Sequence, residues 1–149
     1  IYKKLEPFAP PPQKRFEALK ILAKNKIPIG LRLDPVFPFL TESEIEKIVG
    51  KAKEAGVSHI VGSTFKPRVD SWKRFEKSFP KVAQELRSLY FEKGQKIKNS
   101  WYLPENLRKN LMERIFLACQ KYKISFATCR EGFFNLKSAK SCDGSHLIL

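Results

Sequence analysis

Residues 27–64 read IPIGLRLDPVFPFLTESEIEKIVGKAKEAGVSHIVGST, and the clearest strand and helix signals of the chain lie in this stretch. Apolar residues alternate with others in residues 29–34, which is the period of a β-strand. Residues 41–44 predict a capping box at the start of a helix that Gly56 ends. The mostly apolar run 57–63 is typical of a strand covered on both faces. A strand, a helix and a second strand in this order predict parallel strands.

The same alternation extends in both directions along the chain. Upstream, Leu5-Glu6-Pro7 predicts the exit of an earlier strand, and a helix follows. Downstream, Pro80 breaks a long helical pattern, a further helix follows Pro104, and a short strand precedes Cys129. The predicted helices span residues 11–26, 70–93 and 104–122, and the final strand spans 124–128.

These elements predict an α/β fold that forms only part of a parallel (βα) barrel. Residues 1–65 supply its later βα units. Residues 66–149 form a basic helical extension with a cysteine-containing tail, packed as the same domain. Because so few strands leave apolar sheet edges bare, we expect a partner half, supplied by the native chain or by oligomerisation through the open edge. The first residue, Ile1 rather than Met, fits a truncated or cleaved polypeptide.

Positive charge is concentrated in the middle of the chain. The net charge is +14, and residues 66–123 contain 15 Lys and Arg against 6 Asp and Glu. Clustered cations of this kind release counterions from phosphates, so DNA or RNA is one expected partner; a lysine-rich solvated surface is the alternative. Aromatic residues lie among these cations and fit either base stacking or, preferably, a helix core. They are Trp72, Phe75, Trp101 and Tyr102.

The carboxyl ends of parallel strands are where barrel enzymes place functional groups. Arg32 and Asp34 share one face of the first complete strand, and an inward-facing arginine needs an anionic partner. That partner is either a ligand carboxylate or phosphate, or an internal carboxylate from Glu6 or Asp34. Ser63 and Thr64 end the next strand, and Cys129, Arg130 and Glu131 end the last.

Cysteine and histidine provide a second set of candidates. Cys129, Cys142 and His146 are the only set with a spacing that resembles a metal site, for zinc or an iron–sulfur cluster. A Cys129–Cys142 disulfide or two free thiols are the alternatives, and Cys119 and His59 are expected in the core. An odd number of cysteines does not describe a secreted disulfide framework, and no apolar run is long enough to cross a membrane. We therefore expect a cytoplasmic protein.

Several runs resemble the later half of the radical S-adenosylmethionine barrel, in its spore photoproduct lyase-like or DNA-repair photolyase-like branch. They are Leu5-Glu6-Pro7-Phe8-Ala9-Pro10 with Arg15, Gly30-Leu31-Arg32-Leu33-Asp34-Pro35-Val36-Phe37-Pro38, Arg87-Ser88-Leu89-Tyr90 and Ala127-Thr128-Cys129-Arg130-Glu131. The resemblance covers residues 1–95 and, more loosely, the tail.

The resemblance implies an enzyme that uses S-adenosylmethionine and a [4Fe-4S] cluster, with nucleic acid as an expected substrate. In that family a Cys-x-x-x-Cys-x-x-Cys loop holds the cluster, and this chain lacks the loop. The isolated chain is therefore expected to be inactive. The resemblance also implies that Glu6, Arg32 and Asp34 face the cofactor or substrate, and that Ser63 and Thr64 lie near its adenosine. A non-catalytic basic nucleic-acid-binding domain is the alternative function.

Overall fold

The computed structural model describes residues 1–148, in which helices and parallel strands alternate from residue 12 to residue 64. A pair of helices and an antiparallel hairpin follow before the last helix and strand. In chain order the elements are α1 (Tyr2–Leu5), α2 (Pro12–Lys24), β1 (Gly30–Val36), α3 (Ile45–Glu54), β2 (His59–Thr64), α4 (Val69–Ser78), α5 (Pro80–Phe91), β3 (Gln95–Ile97), β4 (Ser100–Tyr102), α6 (Glu105–Lys121) and β5 (Ser125–Thr128).

β1, β2 and β5 form one parallel sheet with β2 in the centre. Val61 of β2 lies opposite Arg32 on one side and Ala127 on the other. Every residue of β2 is buried, as expected for a strand covered on both faces. The fold is therefore mixed α/β with a three-stranded parallel sheet, and these strands do not close into a barrel.

Helices α3 and α6 cover the sheet and contact each other. α3 buries Ile45, Val49 and Ala52, which recur at helical spacing on one face. α6 contacts both β2 and β5, and Leu111 and Ile115 are completely buried there. α3 connects β1 to β2, and α6 precedes β5. Because the three strands are parallel, their carboxyl ends lie at one edge of the sheet, which we call the carboxyl edge.

Helices α4 and α5 and the β3–β4 hairpin enclose an aromatic cluster. Trp72 and Tyr90 are buried with ring centroids 5.6 Å apart, and Tyr90 donates a hydrogen bond of 2.7 Å to the Phe65 carbonyl. The sequence did not predict the hairpin, because each strand is only three residues long. Gly94 precedes the hairpin, and a side chain there would overlap the Tyr102 carbonyl oxygen.

The two edges of the parallel sheet differ. The tail covers the outer edge of β5, where the amides of Ser138 and Ala139 donate to the Phe126 carbonyl at 2.8 and 3.1 Å. Within residues 1–148 no strand pairs with the outer edge of β1. That edge keeps unpaired backbone groups of the kind that bind a further strand.

The structure confirms the predicted helices and the strands at β1, β2 and β5, and corrects two local predictions. Leu5-Glu6 does not leave a strand: residues 2–5 form the short helix α1, because no strand lies beside them to pair with their amides. The capping box at residues 41–44 does not form. The Thr41 hydroxyl accepts from the Phe37 amide at 2.9 Å instead, and a 3₁₀ turn at Glu42–Glu44 precedes α3.

No helix within residues 1–148 has both the length and the apolar character needed to cross a bilayer.

Candidate functional site at the carboxyl edge of the sheet

The carboxyl edge brings together polar residues from three strands. Arg32 and Asp34 come from β1, Ser63 and Thr64 from β2, and the segment after β5 supplies Cys129 to Glu131. The Cys129 amide donates to the Gly62 carbonyl at 2.9 Å, which places this segment beside the end of β2. Polar residues more than sixty positions apart in the chain therefore meet at one edge.

Arg32 forms a salt bridge with Asp34 on the same face of β1. Its Nη2 and Nε lie 2.8 and 3.2 Å from Asp34 Oδ2, and Nη2 also lies 3.5 Å from Cys129 Sγ. Hydrogen bonds to Cys129 and Asp34 raise the pKa of Arg32 above its ordinary value. Of the two internal partners expected for Arg32, the structure selects Asp34. Because the Arg32 side chain is 56% exposed, its remaining donors can reach a ligand.

Glu131 is the centre of a buried ionic cluster with Lys66 and Arg108. Oε1 accepts from the Thr64 amide at 2.7 Å, from the Thr64 hydroxyl at 2.9 Å and from Lys66 Nζ. Oε2 accepts from Arg108 Nη1 at 2.9 Å. The side chains of Lys66, Glu131 and Arg108 are 3%, 0% and 8% exposed. Both oxygens of the buried carboxylate are therefore satisfied, as burial of a charge requires.

The cluster keeps Glu131 ionised. Burial alone raises the pKa of Glu131, but the Lys66 charge and hydrogen bonds from Lys66, Thr64 and Arg108 outweigh burial and hold the pKa below its usual value. Burial lowers the pKa of Lys66, and the Glu131 carboxylate opposes that change. Two cations against one carboxylate leave the cluster with a net positive charge.

The predicted cofactor residues lie in three different environments in the structure. Arg32 and Asp34 lie at the carboxyl edge and remain reachable by solvent. Ser63 and Thr64 are buried, and their hydroxyls bond to Glu131. Glu6 lies at the end of α1, where it forms a salt bridge with Arg15.

The predicted metal residues do not come together. Cys129 follows the carboxyl end of β5, whereas His146 Nε2 lies 3.3 Å from the Ser125 hydroxyl at the amino end. The strand between them separates the two positions by about 3.3 Å per residue. Residues 1–148 contain no group of three or more His, Cys, Asp or Glu side chains that could hold a metal ion. Cys129 and Cys142 are free thiols.

His59 is a core histidine, as expected. It is buried at the amino end of β2, with Nδ1 3.0 Å from the Ser125 hydroxyl and Nε2 3.3 Å from the Cys142 carbonyl oxygen. The His146 ring lies edge-on to it, with centroids 4.8 Å apart. Burial lowers the pKa of His59 below its ordinary value. Its contacts hold the tail against the amino end of the sheet, on the side away from the carboxyl edge.

The aromatic residues among the basic residues belong to the core. Trp72, Phe75 and Tyr102 are buried, and Trp101 is half-buried with its ring centroid 5.1 Å from that of Phe91. These residues pack against other side chains, so the preferred helix-core interpretation holds and their faces are not available for base stacking.

A cleft of about 530 Å³ lies beside the buried cluster, between the β3–β4 hairpin and the segment after β5. We call it the hairpin cleft. Four cationic side chains line it against one carboxylate, that of Glu131. The lining cations are Arg68, Lys98, Arg108 and Arg130.

Sequence reasoning did not single out Arg108, although the sequence contains a signal for it. Arg108 shares one face of α6 with Leu111, Met112 and Ile115, all of which are buried. A charged residue at that spacing on an apolar face predicts a buried ionic partner. Its partner, Glu131, was recognised only as a strand-end residue, because nothing local to it indicates burial.

Comparison with known proteins gives no relative: no family model, curated protein or solved structure matches the chain. Functional conclusions therefore depend on the chain's own residues and contacts.

Proposed function

We propose that this chain supplies the later βα units of a radical S-adenosylmethionine barrel whose full-length form is an iron–sulfur enzyme acting on nucleic acid. The observation that carries the proposal is a parallel sheet with charged side chains at its carboxyl edge and with the outer edge of β1 unpaired. Parallel sheets place their ligands at that edge. The sequence runs that resemble the spore photoproduct lyase-like branch supply the family.

The unpaired edge of β1 supports a missing N-terminal half of the barrel. Leu31 and Leu33 of β1 are only half-buried, and α2 has no buried residue. Ile21 of α2 and Phe8 before it are exposed. An additional βα half beside β1 would pair its backbone and cover these apolar side chains. A second copy of the chain, bound through the same edge, is the other occupant that fits.

The cofactors fit this chain only in part. The cysteines do not form a site for a [4Fe-4S] cluster, so the cluster ligands belong to the partner half in this proposal. In this proposal the exposed donors of Arg32 bind the carboxylate of S-adenosylmethionine, and Asp34 holds the guanidinium from behind. Ser63 and Thr64 act indirectly, since they bond to Glu131. When bound, the cluster and S-adenosylmethionine supply the radical chemistry, and this chain supplies binding and orientation.

The first experiment determines the coding sequence upstream of Ile1 and the intact mass of the native protein. We expect a longer chain with a Cys-x-x-x-Cys-x-x-Cys loop. That protein, reconstituted anaerobically with iron and sulfide and then given a reductant and S-adenosylmethionine, should cleave S-adenosylmethionine to methionine and 5′-deoxyadenosine. Arg32→Gln should weaken S-adenosylmethionine binding, whereas Arg74→Gln, at an exposed salt bridge of α4, should not. A native chain that starts at or near Ile1, or one that has the loop and binds no iron, contradicts the proposal.

A non-catalytic nucleic-acid-binding domain is the second candidate, favoured by the concentration of positive charge. Residues 66–123 contain 15 Lys and Arg against 6 Asp and Glu, an excess of nine cations. Three cations of this region line the hairpin cleft together with Arg130. Binding through phosphates weakens steeply with salt. A shallow or absent dependence of DNA affinity on salt concentration would exclude this candidate.

A further inference from the structure

We propose that the hairpin cleft is a phosphate-binding site, with Arg108 as its fixed donor and Arg68, Lys98 and Arg130 as its surrounding cations. Phosphate binding in this cleft requires neither a cofactor nor a partner half of the barrel, because all four cations belong to this chain.

Arg108 has the properties of a preorganised anion donor. Its guanidinium lies between the rings of Tyr102 and Phe133, at 5.5 and 5.2 Å from their centroids. Nε donates to the Leu103 carbonyl at 3.0 Å, and Nη1 donates to the carbonyl and carboxylate of Glu131. Within residues 1–148, Nη2 donates to no protein acceptor, and it keeps some exposure to solvent. A side chain this buried therefore retains a donor that a ligand in the cleft can use.

The other three cations are free of protein carboxylates. Arg68, Lys98 and Arg130 are exposed, line the cleft and form no salt bridge within residues 1–148. Arg68 also lies at the N-terminal end of α4, where the helix dipole repels a cation and attracts an anion. The one carboxylate of the cleft, Glu131, already has Lys66 and Arg108 as counterions. The cleft therefore has an uncompensated positive charge.

The walls of the cleft are held together by hydrogen bonds. The Trp101 amide of β4 donates to the Pro67 carbonyl at 2.9 Å, which fixes the hairpin beside Arg68. The bond from Arg108 to the Glu131 carbonyl fixes the segment after β5. Lys98 and Arg130 have φ angles of 54° and 55°. Lys98 adopts this left-handed conformation in the two-residue turn between β3 and β4.

The chemistry of the cleft favours phosphate over other anions. A tetrahedral phosphate accepts several hydrogen bonds from arginine forks, and its one or two negative charges find counterions in Arg68, Lys98 and Arg130. Tyr102, which lines the cleft, is buried and packs against the Arg108 guanidinium, so it offers no free face on which a base could stack. Binding should therefore depend on the phosphate and not on the base sequence.

The test compares two triple variants of the chain. The cleft variant combines Arg68→Gln, Lys98→Gln and Arg130→Gln. The control combines Lys26→Gln, Lys53→Gln and Lys123→Gln, which removes the same charge near the amino ends of β1, β2 and β5. The control residues are exposed, and Lys26 and Lys123 match the backbone conformation of Lys98 and Arg130, with φ angles of 59° and 54°. Circular dichroism and thermal melting establish that both variants fold.

The probes are a labelled DNA duplex, inorganic phosphate and a mononucleotide, without iron, reductant or S-adenosylmethionine. For the duplex we expect the cleft variant to lose about three from the slope of log affinity against log salt, and the control to lose less than one. Phosphate and mononucleotide that bind only weakly, with the same dependence on the cleft residues, identify a nucleic-acid backbone as the source. Mononucleotide binding as strong as duplex binding identifies a small phosphorylated molecule. Equal losses in both variants, or no binding of any probe, overturn the proposal without affecting the radical-enzyme assay.

Discussion

The Arg32–Asp34 pair and the Lys66–Glu131–Arg108 cluster lie at the same edge of one sheet, but water reaches mainly the first. Arg32 can exchange its carboxylate partner for a ligand at small cost, because solvent screens its charge in either state. Glu131 cannot leave its partners for a ligand, because its removal leaves the buried cations Lys66 and Arg108 without a counterion. Arg32 can therefore bind a ligand directly, whereas the Glu131 carboxylate holds the edge in place and Arg108 keeps only Nη2 free for the hairpin cleft.

Glu131→Ala should have the largest effect on stability. Breaking a buried salt bridge by removing one partner costs about 3–5 kcal/mol. The matched control is Glu85→Ala, at an exposed residue of α5 that forms no salt bridge within residues 1–148, and should change stability by less than about 0.5 kcal/mol. Urea unfolding measures both. If Glu131→Ala lowers the free energy of unfolding by less than about 1 kcal/mol, the buried cluster does not hold the carboxyl edge in place.

Acid should remove the stabilisation that the buried cluster gives to the fold. The pKa of Glu131 is lowered in the folded chain, so its stabilisation is fully present above the unfolded value of about 4.3 and is lost as the pH falls through the folded value. Urea unfolding between neutral and acidic pH should show this loss in the native sequence. In Glu131→Gln the loss should be smaller, since that side chain does not titrate. If both proteins lose the same stability as the pH falls, Glu131 is not the group responsible for the loss.

His59 extends the comparison to a buried titratable group whose hydrogen-bond partners, the Ser125 hydroxyl and the Cys142 carbonyl, are neutral. Because burial lowers its pKa, His59 stabilises the fold fully above the unfolded value of about 6.5 and loses that contribution as the pH falls through its folded value. His59→Gln should reduce the decline in unfolding midpoint between neutral and mildly acidic pH. Lys53→Gln, at an exposed residue of α3, serves as control and should leave the pH profile of the native sequence unchanged. An unchanged decline in His59→Gln would assign the pH dependence to other groups.

Arg32→Gln should have the smallest effect on stability. Exposed salt bridges contribute less than about 1 kcal/mol, so the urea midpoint should move little. The same substitution should, in the assembled enzyme, weaken S-adenosylmethionine binding. A large loss of stability would place Arg32 with the buried cluster and remove it as a ligand-binding residue.

Local sequence patterns were sufficient to predict most helices and strands, but not the contacts between them. Pro80 and Gly56 mark where helices begin and end, and alternation marks β1, because these signals act within a few residues. The Thr41 capping box failed because the hydroxyl found a nearer donor, the Phe37 amide. The β3–β4 hairpin was not predicted because two three-residue strands have too few positions to show a period.

The candidate site depended more on tertiary structure than the elements did. The strand-end rule correctly places Arg32, Asp34 and the Cys129–Glu131 segment at one edge. It does not say that Ser63 and Thr64 bond to Glu131 instead of facing a ligand, nor that β5 separates Cys129 from His146. Those outcomes depend on which side chain lies opposite which, and residues 66 and 131 meet only after the sheet has formed.

Periodicity and composition were enough to predict the alternation of helices and parallel strands, the burial of β2 and the concentration of positive charge. They could not predict that Glu131 is buried between Lys66 and Arg108, that Glu6 pairs with Arg15, or that four cations surround one cleft. The physical reason is range: periodicity acts over a few residues, whereas the energy of a charge depends on burial and on partners that are distant in the chain.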